Sequence, residues 1–270
     1  MHYQIIRPPE VLSEYIRYFW TMDYDGTHQP PKLIKILADP CPRLVFQHLS
    51  GNTAIAKGDG SALPTTFLRG VNSKVFIHHV TASFSVTGVS FQPHAIKTIF
   101  RVDAVELADA YHDLQDFAPN ELQDRLLYAE NHQERVNILI NFFLKKLNQH
   151  TDSHMPFYKG ISQVKNGNVD TRVQELLRYY SLSERSLERR FKQSIGVSPK
   201  LFLRINRFER ALKHLKDRNP TRLTELSYLL NYADQSHFSR DFREFSGLTP
   251  NEYLRQQKLI EESSSFMSDQ

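Results

Sequence analysis

A repeat near the end of this chain constrains its fold more than any other feature. Residues 183–203 read SERSLERRFKQSIGVSPKLFL and residues 234–254 read DQSHFSRDFREFSGLTPNEYL. Shifted by 51 residues, Arg189, Phe191, Gly196, Pro199 and Leu203 fall on Arg240, Phe242, Gly247, Pro250 and Leu254. Similar residues fill in between them, such as Leu187 with Phe238 and Lys192 with Arg243. In the first copy Ser183 is suited to cap a helix. Leu187 and Phe191, four apart, share a face that turns inward, while Arg185 and Arg189 lie about 200° round the helix and point away. Gly196 is free to take the left-handed conformation that ends a helix, and Ser198-Pro199 restarts one with a cap and a proline in the first turn. The second copy repeats this. Phe238 and Phe242 face inward, Ser236 and Arg240 outward, Gly247 is the stop, and Thr249-Pro250-Asn251-Glu252 is a capping box.

Another short amphipathic helix precedes each copy, carrying Val173, Leu176 and Leu177 in one case and Leu223, Leu226, Leu229 and Leu230 in the other. Helix, tight turn, then a helix with an exposed polar face is the helix-turn-helix arrangement. Between the units, Lys200–Lys216 carries Leu201, Ile205, Phe208, Leu212 and Leu215 on one stripe, a helix of about 25 Å. A rod of that length suits two recognition helices held about 34 Å apart, one turn of DNA. The turn residues Asp217-Arg218-Asn219-Pro220 end it. Charge agrees with this reading. Residues 169–258 hold 18 Lys and Arg against 11 Asp and Glu, whereas residues 1–168 hold 16 of each. The basic excess therefore sits in the repeat segment, where phosphates would be neutralised.

These residues resemble the DNA-binding domain of the AraC/XylS family of bacterial transcription regulators, which has two helix-turn-helix units joined by a long helix. The family's first pattern matches from Ser183 to Phe202, and its second from Tyr232 to Leu254. Four positions depart. Asn231 stands where Gly is usual, Tyr232 for Phe, Arg243 for Lys and Leu254 for Arg. Asn tolerates a left-handed turn, so the turn is expected to survive. The resemblance places base contacts on Arg185, Glu188 and Arg189 of the first recognition helix, and on Gln235, Ser236, Ser239 and Arg240 of the second. The exposed face of each helix selects the same side. Lys192, Lys200 and Arg243 are expected on phosphate. The resemblance further implies double-stranded DNA as partner, a small-molecule effector or protein partner at the front domain, a homodimer, and RNA polymerase as partner where the protein activates.

The front of the chain has a different pattern. Pro9–Trp20 reads as a short helix with Leu12, Tyr15, Ile16 and Phe19 on one side. The runs Leu33–Leu37, Arg43–Leu49, Thr66–Leu68, Val75–Val80 and Phe84–Phe91, broken by Gly, Pro, Asp and Asn, read as strands. Residues 95–150 turn helical, with a stripe over Val136–Leu147 that suits either a dimer or its own subunit's core. The expected class is α+β: a small N-terminal β-barrel or sandwich with accessory helices, then an all-α domain of two helix-turn-helix units joined by a long helix. The divisions are 1–150, a linker over 151–168, the DNA-binding domain over 169–258, and a flexible acidic tail over 259–270. Tyr18-Phe19-Trp20, Asp39–Phe46 and Gly88–Ala95 resemble the N-terminal domain of some AraC-type regulators, with Pro40 and His94 as departures. That resemblance implies a sensory or dimerising role.

The rival architecture puts an enzyme or a metal site in front of the same DNA-binding tail, and the sequence offers it little chemistry. His48, His78, His79 and His94 lack a ligand spacing, and the adjacent His78 and His79 would face opposite sides of a strand. Cys41 lies between two prolines with no activating motif. Neither a phosphate-binding glycine loop nor a serine elbow is present. No catalytic residue, cofactor or metal is therefore expected. The lone cysteine suits a reducing cytoplasm, the N-terminus does not read as a signal peptide, and no apolar run of membrane-spanning length occurs.

Overall fold

The computed structural model describes residues 2–26, 32–47, 53–148, 161, 173–216 and 222–255, with the backbone of 265–269. The front of the chain builds two antiparallel sheets. One has the order β1-β2-β8-β4-β6-β9, from β1 (His2–Ile6), β2 (Ile16–Tyr24), β8 (Phe84–Phe91), β4 (Arg43–Gln47), β6 (Thr66–Arg69) and β9 (His112–Asp113). The other has the order β10-β3-β7-β5, from β10 (Ser265–Asp269), β3 (Lys32–Ile36), β7 (Phe76–Val80) and β5 (Ile55–Lys57). The front domain is thus a sandwich, and the barrel alternative is not realised among the described residues.

The larger sheet is covered on both faces, which is why its central strands read as continuous apolar runs rather than alternating ones. Tyr18, Trp20 and Met22 of β2 and Phe84 and Val86 of β8 face the second sheet. Phe19 of β2, Leu44 and Phe46 of β4, and Val89 and Phe91 of β8 face helices α1 (Ala95–Phe100), α2 (Asn120–Tyr128) and α3 (His132–Asn148). Val136, Leu139 and Phe143 of α3 are fully buried in that layer. The stripe that suited either a dimer or the core therefore packs inside its own subunit.

Two readings of the sequence are corrected. Pro9–Trp20 is not a helix. Only Glu10–Leu12 makes a single 3-10 turn, and β2 begins at Ile16. The spacing of Leu12, Ile16 and Phe19 fits a helix, but the β-favouring run Tyr18-Phe19-Trp20 pairs with β8 from Ser90 to Gly88, and tertiary pairing decides so short a segment. The acidic end, read as a flexible tail, supplies a strand: Ser265–Asp269 pairs antiparallel with Ile36–Lys32 at the edge of the smaller sheet. The expected linker over 151–168 lies outside the described residues apart from Ile161, which is buried in the C-terminal core. His48 and the turn Asp217–Pro220 also lie outside them.

The C-terminal part is helical: α4 (Val173–Tyr180), α5 (Glu184–Ser194), α6 (Pro199–Lys216), α7 (Leu223–Leu229), α8 (Gln235–Ser246) and α9 (Pro250–Arg255). The expected ends are present. Ser183 accepts the Ser186 N–H, and Asp234 accepts the His237 N–H at 2.7 Å. Glu252 accepts the Thr249 N–H at 2.7 Å while Thr249 Oγ1 accepts the Glu252 N–H at 3.3 Å, closing the capping box. Gly196, Asn231 and Gly247 take positive φ of 102°, 58° and 71°. Aromatic rings tie both units to α6. Phe202 meets Phe191 of α5 at 5.7 Å between ring centres, and Phe208 meets Phe242 of α8 at 5.1 Å and Phe245 at 5.5 Å.

The two parts share a boundary. Leu37, Ala38 and Val71 of the front domain are buried in the same cluster as the helix-turn-helix core. A side chain at Gly196 would put its Cβ 2.8 Å from the Ala104 carbonyl oxygen of the front domain. Gly196→Ala therefore combines strain at positive φ with a backbone clash. It is expected to cost about 1–3 kcal/mol in chemical denaturation, together with faster proteolysis between the domains.

Candidate nucleic-acid interface

The residues expected to read bases lie on the outer faces of α5 and α8. Arg185, Glu188, Arg189, Gln235, Ser236 and Arg240 are exposed, and Ser239 is half-buried. The expected phosphate contacts Lys192, Lys200 and Arg243 are exposed as well. The opposite faces are sealed, with Leu187, Phe191, Phe238 and Phe242 at 0% exposure. A change of any outward residue thus leaves the core intact.

Several of these side chains are already placed by neighbours. Gln235 Oε1 accepts the Thr224 hydroxyl at 2.6 Å, so a residue of α7 aims the amide at the start of α8. Arg240 Nε donates to the Ser236 carbonyl at 3.4 Å. Glu188 pairs with Lys192 at 3.1 Å, one turn along the same helix, rather than with Arg185 or Arg189. In the free protein that pair offsets one of the expected phosphate contacts. Both partners are about half exposed, so the pair is weak and separates at little cost.

Some residues that set the geometry were not singled out in the sequence. Arg204 of α6 bonds Asp241 at 2.8 Å and Glu244 at 2.5 Å, and its guanidinium lies 5.0 Å from the centre of the Phe245 ring. Burial alone would lower the Arg204 pKa, but the two carboxylates of α8 outweigh it and raise it. Arg207 of α6 stacks 4.8 Å from the Tyr232 ring centre and donates to the Asn231 carbonyl at the turn before α8. These two arginines fix the second unit's angle on the long helix. The signal for them was the i,i+3 spacing of Arg204 and Arg207 along α6, which became a clamp only once α8 packed there.

Behind the helices lies the joint with the front domain. The Ala38 N–H donates to the Phe245 carbonyl of α8 at 2.9 Å. Arg17 of β2 donates to the Cys41 sulfur at 3.1 Å and pairs with Glu209 of α6 at 3.5 Å. Between these contacts Asp39 is buried. Arg43 Nε and Nη2 reach its Oδ2 at 3.0 and 2.6 Å, and its Oδ1 accepts the Cys41 N–H. Burial would raise the Asp39 pKa; the Arg43 and Arg17 guanidiniums override it and hold the carboxyl below its usual range. The same Arg43 lines a cavity between the two sheets, with about 630 Å³ of empty space including its mouth. Apolar side chains form most of its wall, and Arg43, Gln47, Arg69 and His78 are its polar members. His78 Nε2 lies 2.7 Å from the Tyr111 hydroxyl. Among the described residues no cluster of His, Cys, Asp and Glu could hold a metal ion.

Family models match both parts of the chain. Residues 4–113 match a family model described as a domain of unknown function (DUF6597), and residues 176–256 match that of a helix-turn-helix domain. The transcriptional activator RhaS of Escherichia coli O139:H28 is 34% identical over 73 residues, 27% of this chain and 26% of that protein. An uncharacterised transcriptional regulator of Staphylococcus aureus (strain MSSA476) is 30% identical over 94 residues, 35% of this chain and 12% of that protein. The chain thus spans about a quarter or less of the length of these curated relatives. ToxT of Vibrio cholerae aligns with 88% of this chain and 98% of its own, at a TM-score of 0.45 and 13% identity. The C-terminal domain of AraT from Geobacillus stearothermophilus aligns with 35% of this chain and 77% of its own, at 0.31 and 26%. Two capped helix-turn-helix units with polar outer faces define a helix-turn-helix domain. Carried on one long helix, they match that domain model over residues 176–256 and are similar over 73 residues to RhaS, with a DUF6597 domain matched in front. No described helix is long and apolar enough to cross a membrane.

Two outcomes are expected. Arg204→Ala leaves the buried Asp241 without its partner at 2.8 Å, and should lower stability by about 2 kcal/mol in urea unfolding, somewhat below the loss for a fully buried pair because Arg204 is partly exposed. The second concerns acid. Burial first, then the charge of Arg69, lowers the His78 pKa from 6.5 to about 3. Between these values the unfolded chain takes up a proton that the folded protein refuses, so stability falls as pH falls, by at most about 1.4 kcal/mol per unit. His78→Gln should make the loss of stability between pH 6.5 and 4.5 shallower by up to one proton.

Proposed function

We propose that this protein is a sequence-specific DNA-binding transcription regulator whose two recognition helices enter successive major grooves. The observation that carries the reading is the pair of equivalent helices, α5 and α8, with sealed inner faces and exposed polar outer ones, joined through α6. In this reading Arg185, Arg189 and Arg240 bond guanine edges, Gln235 bonds adenine, and Glu188, Ser236 and Ser239 adjust the fit. Lys192, Lys200 and Arg243 grip phosphate. The working divisions are residues 1–150 and 169–258, and the protein acts in the cytoplasm without catalysis. A homodimer, and RNA polymerase as partner of an activating form, belong to the same proposal.

The front domain supplies the control. It touches both recognition helices near their C-terminal ends, at Gly196 and at Phe245, and it touches the helix between them at Glu209. A small molecule in the intersheet cavity would act on Arg43. Through Asp39 and Ala38 that change reaches α8, and a ligand with different affinities for two docked arrangements shifts their populations.

Selection from a randomised duplex pool tests the reading. Two enriched patches about ten base pairs apart are expected; salt-sensitive binding with no enrichment would overturn it. On the selected site Arg240→Ala should cost about 1–3 kcal/mol and relax one base position. Lys192→Ala should weaken all sequences alike and flatten the salt slope by about one unit. Equal losses on specific and random DNA for Arg240→Ala would remove it from the base-reading set.

A further inference from the structure

Resting on the regulator reading, we propose that the intersheet cavity is a site for a hydrophobic carboxylate, with the apolar body between the sheets and the carboxylate on Arg69. The register of the strands places Arg43 directly opposite Arg69 on adjacent strands β4 and β6. Both are buried, at 5% and 4% exposure, and both line the cavity. Like charges so paired repel. Asp39 balances Arg43, but no described carboxylate lies within ion-pair distance of Arg69, whose guanidinium meets the Tyr111 hydroxyl and ring instead. Lys57 of β5 adds a further positive charge 6.0 Å from the same ring. The nearby Asp109 is engaged by the Ser73 N–H and hydroxyl. This end of the cavity therefore carries an excess of positive charge, and a buried uncompensated guanidinium costs several kcal/mol unless something offsets it.

The unmet hydrogen bonds point the same way. Arg69 Nε and Trp20 Nε1 are buried donors without a partner among the described residues, and both residues line the cavity. A carboxylate matches a guanidinium in shape and accepts two N–H bonds side by side. A sugar would need many polar partners, and the wall supplies few. A cation would meet Arg43 and Arg69 in the wall. The rest of the lining suits an apolar body: Ile34 and Ile55 from one sheet, Val45, Phe67 and Val86 from the other. The Trp20 indole lies flat over position 88, where any Cβ would overlap it, so glycine there leaves the ring as a smooth wall.

Trp20 is the chain's single tryptophan, so its fluorescence reports the site. The full chain is titrated at pH 7 with 4-phenylbutyrate and octanoate, and in parallel with their primary amides, which are of equal size but uncharged. The acids are expected to saturate the signal and to bind at least tenfold tighter than the amides, with added salt narrowing the gap. Arg69→Gln should abolish the discrimination while leaving amide binding unchanged. If that variant does not fold, judged by circular dichroism, the comparison of acid with amide on the wild-type chain decides alone. Acid and amide binding alike, or no binding by either, overturns the proposal. The duplex selection is run on the same preparation. DNA selection with equal acid and amide binding sinks the ligand class and spares the regulator reading. Acid preference without DNA selection sinks the regulator reading and leaves the anion site standing.

Discussion

The buried ion pair between Asp39 and Arg43 is the point on which the molecule turns. It closes the loop between β3 and β4, holds Arg43 in the lining of the cavity, and sits one residue from the Ala38 N–H that bonds the second recognition helix. Two charges removed from water survive only with close geometry and further hydrogen bonds. Here the 2.6 Å contact and the Cys41 N–H provide both. Loss of either partner would strand a charge between two domains rather than inside one. The polar joint is thus costly to break, and any ligand that competes for Arg43 acts on it directly.

The helical domain solves a different problem, that of holding two small units at a fixed angle. Both units pack on α6 and share one core with it. Phenylalanine rings supply the shared core, and Arg204 and Arg207 supply orientation at its edge. The division suits the proposed reading of DNA: ring packing holds the two helices, while the outward residues lie clear of the core. The front domain adds a third support by holding the C-terminal ends of both recognition helices, the ends farther from the capped N-terminal turns that carry Arg185 and Gln235.

The candidate DNA face was legible in the sequence because it is local. Periods of four, a capping residue, a glycine stop and a proline restart all lie within twenty residues, and the repeat stated them twice. Asn231 was expected to take a left-handed turn and does so at φ 58°. The front domain was legible only in part. Strands β3, β4, β6, β7 and β8 stood out as apolar runs between turn residues. Strand β2 was read as a helix, because a short aromatic segment carries both periods until a partner strand chooses one. Strands β1, β5 and β10 gave no signal of their own, since edge strands are made by pairing more than by composition.

By itself the sequence determined the two helix-turn-helix units, the basic charge that attends them and the outward residues, because helices are specified by neighbours along the chain. Only the tertiary structure decided that Arg69 lies beside Arg43 with no described carboxylate paired to it, that Trp20 roofs Gly88, and that Ala38 bonds Phe245. Those juxtapositions join residues far apart in sequence. They depend on strand register and domain packing, which no local pattern encodes.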